Sequence, residues 1–469
     1  MNVGFFEFNQ SPWHLGVAFE IAQVELSNSN KVFFNFLAHD VTENNRNRYV
    51  SNYYRFNRYL YPEYKIARNL QEVYKRNFVF SDSIVHASDR KLYSDQLITD
   101  AKYAARMDLI DEIKGNIYDD FEYENIIEKK AFAYCKTYDS VLKFIEENKV
   151  TKVYTFNGRF LHERAVWSAC TNAEIECIFH EKVDSIRGNT YTIFKTSVHS
   201  STERSANINR FWEENAFSYS SKVDVAYDWL TKRQNGITQK FTKMQISKYS
   251  PKNDGSKTVL FLHSSNDELI SSGLNNPTTW GDQYLTIRKV HRLIKQMTGL
   301  KLLIRMHPNL LSKNAIERSK WYKFVKEMNC EFIEPDSNYD TYQLIKDSLC
   351  VISYGSTAGI EATLLHKPSI LVGPALHREL NATINIDNES DLKKLLHEII
   401  NNEINIDEYL QQAYKYAFYY SIAGNQFIHN KIIGDKELQD PLLEICGIDL
   451  KYNILFKSIY KLKAKLFLF

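Results

Sequence analysis

Short apolar runs alternate along most of the chain with segments whose apolar residues recur every three or four positions. Residues 3–8 read as a strand. Ser11-Pro12 opens a helix to about Leu26, Ser27–Asn30 break it, and residues 31–37 form a second strand ending at His39-Asp40. Strand, helix and strand within about 40 residues imply a parallel pair with a crossover. Residues 41–125, rich in Tyr, Arg and Asn, read as mostly helical. A helix over 132–148, a strand over 152–156, a helix over 161–171 and a strand over 175–179 follow. The polar, turn-rich stretch 236–257 reads as a boundary. Beyond it the pattern predicts strands at 258–262, 301–306, 331–333, 349–352 and 368–373, with helices at 283–297, 314–328, 340–347 and 360–365. Helices are expected to dominate from Glu389 onward. The organisation expected is an α/β lobe over 1–240, a second over 258–430, and a helical segment over 431–469. Parallel sheets bind ligands beyond the carboxyl ends of their strands, so two facing lobes place a site in the cleft between them.

Composition narrows the classes. The 469 residues suit two or three domains, and 44% apolar with 25% charged residues excludes wholesale disorder and fibrous repeats. A balance of 59 basic against 57 acidic side chains gives no polyelectrolyte field, so no nucleic-acid partner is expected. The six cysteines are scattered without a CxxC pair, which argues against a zinc site or a disulfide framework and for a reducing compartment. Residues 1–8 lack the pattern of a signal peptide. A cytoplasmic protein is expected.

Candidate chemistry lies where apolar runs stop. Ser353-Tyr354-Gly355-Ser356-Thr357-Ala358-Gly359 joins a strand to a helix. Its amides and hydroxyls suit a phosphate at a helix N-terminus, or it is a turn with Ser356 or Thr357 as cap. Glu361, in the first turns of that helix, could reach a ribose diol or compensate the helix dipole. Arg305-Met306-His307-Pro308 puts a histidine at a strand end, where it could donate to a phosphate oxygen as a leaving nucleotide gains charge. His263-Ser264-Ser265 ends a neighbouring strand.

A strand ending in His-Pro, then Ser-x-Gly-Ser-Thr-x-Gly-x-Glu-Ala about 45 residues on and Lys-Pro before a strand, resembles bacterial glycosyltransferases of the GT-B fold. The chain looks most like the capsule and lipopolysaccharide group that includes the Kdo and sialic-acid-type transferases using CMP-sugars. The resemblance spans roughly 258–375. It implies two Rossmann-like lobes facing a cleft and transfer of Kdo or another nonulosonate from a CMP-sugar to a glycan acceptor. His307, Ser356 and Thr357 would hold the CMP phosphate, and Glu361 or Pro308 would lie near the cytidine. Arg305, Ser353, Gly355, Ser264 and Ser265 would complete the donor-binding set. In the first half, Asn157-Gly158-Arg159, Glu163-Arg164, His180-Glu181 and Arg187-Gly188 resemble the acceptor lobe of capsule-biosynthesis proteins. Asn157, Arg159 and Arg164 would bind the acceptor. The acidic-acidic-Gly motif that carries the base in sialyltransferases of this group is missing. Glu181 is the first candidate base, with Asp40 and Glu163 as alternatives. No DxD-like clamp occurs, so neither a metal nor another obligatory cofactor is expected. Three other readings stay open: a CDP-glycerol-type glycerophosphotransferase, a UDP-N-acetylglucosamine 2-epimerase-like isomerase, and a non-catalytic nucleotide-sugar-binding protein.

The last segment, 451–469, sets Leu455, Ile459, Leu462 and Leu466 on one helical face beside five lysines. This reads as a membrane-surface helix, at the inner face of the cytoplasmic membrane near a lipid-linked glycan acceptor, or as a helix docked on the body.

Overall fold

The computed structural model describes residues 1–8, 12–37, 62–82, 93–115, 117, 120–182, 190–236, 257–265, 270, 279–433 and 442–450. The first half is built from β1 (Asn2–Glu7), α1 (Pro12–Ser27), β2 (Lys31–Phe36), α2 (Pro62–Tyr74), β3 (Phe78–Ser81), α3 (Asp95–Ile113), α4 (Asp120–Asn148), β4 (Lys152–Phe156), α5 (Leu161–Asn172), β5 (Glu176–Lys182) and β6 (Thr190–Phe194). Its strands lie in the order β3-β2-β1-β4-β5-β6. The first five are mutually parallel, and β6 returns antiparallel to β5. The apolar runs bury both sheet faces. Phe5, Phe34 and Tyr154 pack under α1 and α2, whereas Phe6, Phe33, Val153 and Phe179 pack on the opposite side.

Helices α6 (Ser201–Glu214) and α7 (Tyr219–Gln234) follow. The second half contains β7 (Thr258–Leu262), α8 (Gln283–Gln296), β8 (Lys301–Arg305), α9 (Ala315–Glu327), β9 (Glu331–Ile333), α10 (Thr341–Asp347), β10 (Cys350–Ser353), α11 (Ala358–Leu364), β11 (Ser369–Leu371), β12 (Ile384–Asn385), α12 (Glu389–Ile400) and α13 (Asp407–Ile422). Its six strands run β9-β8-β7-β10-β11-β12, all parallel. Both sheets thus have the doubly wound order, reversing between β1 and β4 in one and between β7 and β10 in the other. The expected α/β class with two Rossmann-like lobes is what the chain adopts.

Three expectations change. The region 41–125 contains a strand, β3, besides helices. Helices α6 and α7, inside the 1–240 segment, share a core with α13 and α11 through Trp212, Trp229, Phe418 and Ile360. The segment from 431 is not helical where it is described. β14 (Lys431–Ile433), β15 (Leu442–Ile445) and β16 (Ile448–Leu450) form an antiparallel sheet, and Ile445 and Leu450 pack against α1 and α2 and join their core. Just before it, β13 (Asn425–Gln426) pairs antiparallel with β6. The chain therefore crosses back to the first lobe after completing the second. Glu20 fixes the return by accepting the backbone N–H groups of Ile428, His429 and Asn430. Residues 451–469 lie outside the described residues. Among the described residues no helix is long and apolar enough to cross a membrane.

Candidate functional site

The crevice between β7 and β10 gathers most of the sequence-selected residues of the second lobe. His263 follows β7, His307 follows β8, and Gly355–Thr357 follow β10. His263 Nδ1 accepts the backbone N–H of His307 at 3.1 Å, and His307 Nδ1 accepts that of Asn309 at 3.0 Å. Each ring must therefore carry its proton on Nε2 when neutral. Burial, reinforced by Arg305, pushes His307 down to about 4, so at neutral pH it is an uncharged N–H donor. Pro308 opens a 3-10 turn, Pro308–Ser312, that presents Asn309 to this ring. The Asn309 side chain donates to Ser265 Oγ at 2.8 Å, and Gln283 clamps the Ser264 backbone N–H and C=O at 2.7 and 3.0 Å. The loops after β7 and β8 are thereby locked to one another.

On the other side of the crevice, Gly355 adopts φ 116°, a conformation that favours glycine. The Tyr354 hydroxyl anchors the loop by donating to the Gly281 carbonyl at 2.6 Å. Ser356 Oγ accepts the Ala358 N–H at 3.3 Å, while Thr357 is exposed and its hydroxyl makes no cap hydrogen bond. Helix α11 has only seven residues. Its dipole is correspondingly slight, and the loop's own amides and hydroxyls are the main donors here.

Three residues expected at the donor face elsewhere. Glu361 is 2% exposed and receives Arg233 of α7, with Nη2 at 2.5 Å and Nε at 2.8 Å from Oε1. Burying a charge demands such a partner, and this pair joins α11 to α7. Arg305 donates to the Glu334 carbonyl and to Ser337 Oγ, holding the loop after β9. Ser353 is fully buried, and a side chain at Gly359 would meet its Oγ at 3.0 Å, so it marks a close helix–strand approach.

In the first lobe, the reversal point lies between the ends of β1 and β4. Glu7 ends β1, fully buried, with Oε1 2.8 Å from His180 Nε2. Burial raises the Glu7 carboxyl above its ordinary range, opposed by His180. Next to this pair, Glu181 has one-fifth of its side chain exposed. It accepts from Asn157 Nδ2 at 2.5 Å and the Lys182 N–H at 3.0 Å, with His14 Nδ1 at 3.4 Å. Glu163 is buried in the first turn of α5. Desolvation, with Glu7 and Asp108 nearby, pushes it up to about 8, so it is protonated at neutral pH. Arg159 meets Asp111 at 3.3 Å, and Arg164 donates to the Arg159 carbonyl at 2.7 Å. The structure thus brings Asn157, Glu181 and Arg159 to one strand-end region and places Arg164 behind Arg159. Asp40, Arg187 and Gly188 lie outside the described residues.

Residues at these edges that sequence reasoning missed include Glu7, His14, His199, Arg204 and His377. Glu7 did leave a signal, a carboxylate between Phe6 and Phe8 at the end of an apolar run. The two edges approach each other. Arg204 of α6 is within electrostatic range both of His199, beside the loop after β4, and of His377, beyond β11. On another side, Asn314 Nδ2 donates to the Ile113 carbonyl at the end of α3 at 3.1 Å.

No protein-family model matches the chain, and no curated protein is similar to it. Among solved structures, the beta Kdo 2,4 transferase of Thermosulfurimonas dismutans KpsC is 12% identical, over 56% of this chain and 79% of that one, with a TM-score of 0.36. The beta Kdo 2,7 transferase of the same protein is 14% identical, over 79% and 96%, at 0.35. UDP-GlcNAc 2-epimerase from Neisseria meningitidis, bound to UDP-GlcNAc, is 13% identical, over 88% and 94%, at 0.28. These likenesses are distant, and the two-lobed assignment rests on the strand orders themselves.

Proposed function

We propose that this protein is a glycosyltransferase that takes a nucleotide-sugar donor on its second lobe and an acceptor on its first. One observation carries the reading. A neutral histidine and a Gly-Ser-Thr loop flank the reversal point of one sheet, and a partly exposed carboxylate stands at the reversal-point edge of the other. His307 donates its Nε2 proton in a hydrogen bond to the donor phosphate, with the Gly355–Thr357 loop supplying further donors. These contacts strengthen as the bond from the anomeric carbon to the phosphate oxygen breaks and charge moves onto the leaving nucleotide. Glu181, held by Asn157, accepts the proton of the acceptor hydroxyl as its oxygen bonds to the anomeric carbon. Glu163 is ill suited to that task at neutral pH because its proton is already in place.

The donor proposed is CMP-Kdo or another CMP-nonulosonate, and the acceptor a surface glycan of the capsule or lipopolysaccharide kind. The support is the His-Pro and Ser-x-Gly-Ser-Thr pattern. Basic residues in 451–469 would bring the protein to an anionic membrane where a lipid-linked acceptor resides. Melting curves with CMP, CDP, UDP and GDP test the nucleotide, since a ligand of the native state raises the midpoint. CMP should give the largest rise, and that rise should disappear in His307→Ala. A rise with UDP alone or CDP alone would overturn the CMP assignment, and no rise with any of the four would overturn the reading as a whole.

A further inference from the structure

Where the two lobes meet, cationic side chains collect, and one of them, Arg204, is matched by no acid among the described residues. Arg204, four residues into α6, donates to the Val198 carbonyl at 2.6 Å and to the Tyr420 hydroxyl, and it forms no ion pair with a described residue. His199 precedes it at the helix start, and His377 approaches from the loop after β11. Both histidines are buried, at 4% and 2% exposure. Arg159, Arg164 and Arg204 bear on His199, and Arg204 and Arg378 bear on His377, and burial with these cations keeps both rings neutral. The nearby carboxylates are engaged elsewhere. Glu203 accepts from the Lys195 and Thr196 backbone, Asp111 takes Arg159, and Asp387 takes Arg378. Three nitrogens, Arg204 Nε, His199 Nδ1 and His377 Nε2, are shut off from solvent with no hydrogen-bond partner among the described residues. Buried polar groups ordinarily have partners, and an orphan donor costs free energy. A cluster of them around Arg204, which has no ion-pair partner among the described residues, is suited to an anion.

We infer that Arg204, His199 and His377 form a receptor for a compact oxyanion, a carboxylate or a phosphate, carried by a substrate bound between the lobes. The unpartnered Arg204 Nε–H, backed by the guanidinium charge, can donate to either group, and the two imidazoles supply donors from opposite lobes. A substrate engaging all three ties the lobes together, so acidic substrates are favoured over neutral ones of the same shape. This placement of the anion on a substrate rests on the transferase reading, but the binding is measurable without turnover.

Calorimetry on the full chain would use inorganic phosphate, the free sugar acid Kdo and, as control, CMP. At least one oxyanion should bind. Binding of Kdo alone identifies a carboxylate site, and of phosphate alone a phosphate site. Arg204→Gln should weaken the bound oxyanion by about 10- to 100-fold, the loss expected for a charge-assisted hydrogen bond, and leave CMP affinity unchanged. Arg204→Lys, which keeps the charge, should lose less. His377→Gln, on the other lobe, provides a second folded variant and should weaken the same ligand. If the wild-type protein binds CMP but neither oxyanion at millimolar concentration, the receptor is refuted while the transferase reading stands. Unchanged oxyanion affinity in variants that melt near the wild-type midpoint refutes it equally.

Discussion

The two lobes share a strand order and differ in what they set at its reversal point. In the second lobe, the crevice between β7 and β10 has neutral groups, namely imidazole N–H, hydroxyls and amides, on loops joined to one another by Asn309 and His263. In the first, the ends of β1, β4 and β5 carry Glu7, Glu181, His180 and, close by, Glu163. On the transferase reading proposed above, the first of these edges would receive negative charge and the other would handle protons. The same doubly wound scaffold serves both because it fixes only where strands end, and the chemistry comes from the few residues beyond each end.

Substitutions at each edge test this contrast. The largest effect is expected from Glu181→Gln, which removes the proton acceptor and should lower kcat by about 10²–10⁴ in a transfer assay, with nucleotide affinity retained. If the variant keeps its rate, proton handling does not belong to this carboxylate. His307→Ala, at the opposite edge, should lower the rate by about 10²–10³ and weaken CMP binding as well. Near-normal turnover by the folded protein would sink the phosphate role. Arg233→Met leaves Glu361 buried without its partner and should cost about 3–5 kcal/mol in denaturant unfolding. A cost below about 1 kcal/mol would place the pair in the class of surface ion pairs.

A smaller effect concerns pH. Glu163 stays protonated in the folded protein to about 8, whereas in the unfolded chain it ionises near its ordinary value of 4.5. Its contribution is therefore full below that ordinary value and is lost as pH rises towards 8. Glu163→Gln, neutral throughout, should flatten the fall in melting temperature between pH 5 and pH 8. Parallel curves for the two proteins would show that Glu163 is not the titrating group. The mildest expectation is Thr357→Val, which should weaken CMP about tenfold by removing one hydrogen bond to the phosphate. Calorimetry decides it, and an unaltered affinity would make the loop a turn and nothing more.

The buried parallel strands were legible because each is a run of apolar residues ended abruptly by polar ones. Thr258–Leu262, Lys152–Phe156 and Glu331–Ile333 match their expected bounds. β3, β13 and β14 to β16 have two to four residues each, too few for a periodicity to emerge. Strand-end positions were legible by the same logic, which is why His307, Thr357, Asn157 and Glu181 stand at or just beyond strand ends as expected. What each polar residue turns toward was not. Glu361 meets an arginine 128 positions earlier, and Arg305 a loop 29 to 32 positions later. Such pairings are set by the packing of whole layers, on which local spacing is silent. The Arg204 cluster draws on two stretches far apart in sequence, 199–204 and 377, and left no local trace.

The return of the chain from α13 to the first lobe bears on how the molecule is made. During synthesis the parallel strands of the first sheet emerge by residue 182, but the strand that pairs with β6 and the cover over α1 and α2 come only with residues 425–450. At ribosomal speeds of about 5–20 residues per second, that interval is roughly 12–50 seconds. Throughout it the nascent first lobe shows an unpaired strand edge and an uncovered apolar face, the features that invite association with other chains. Completion of the second lobe is thus the event that seals the first.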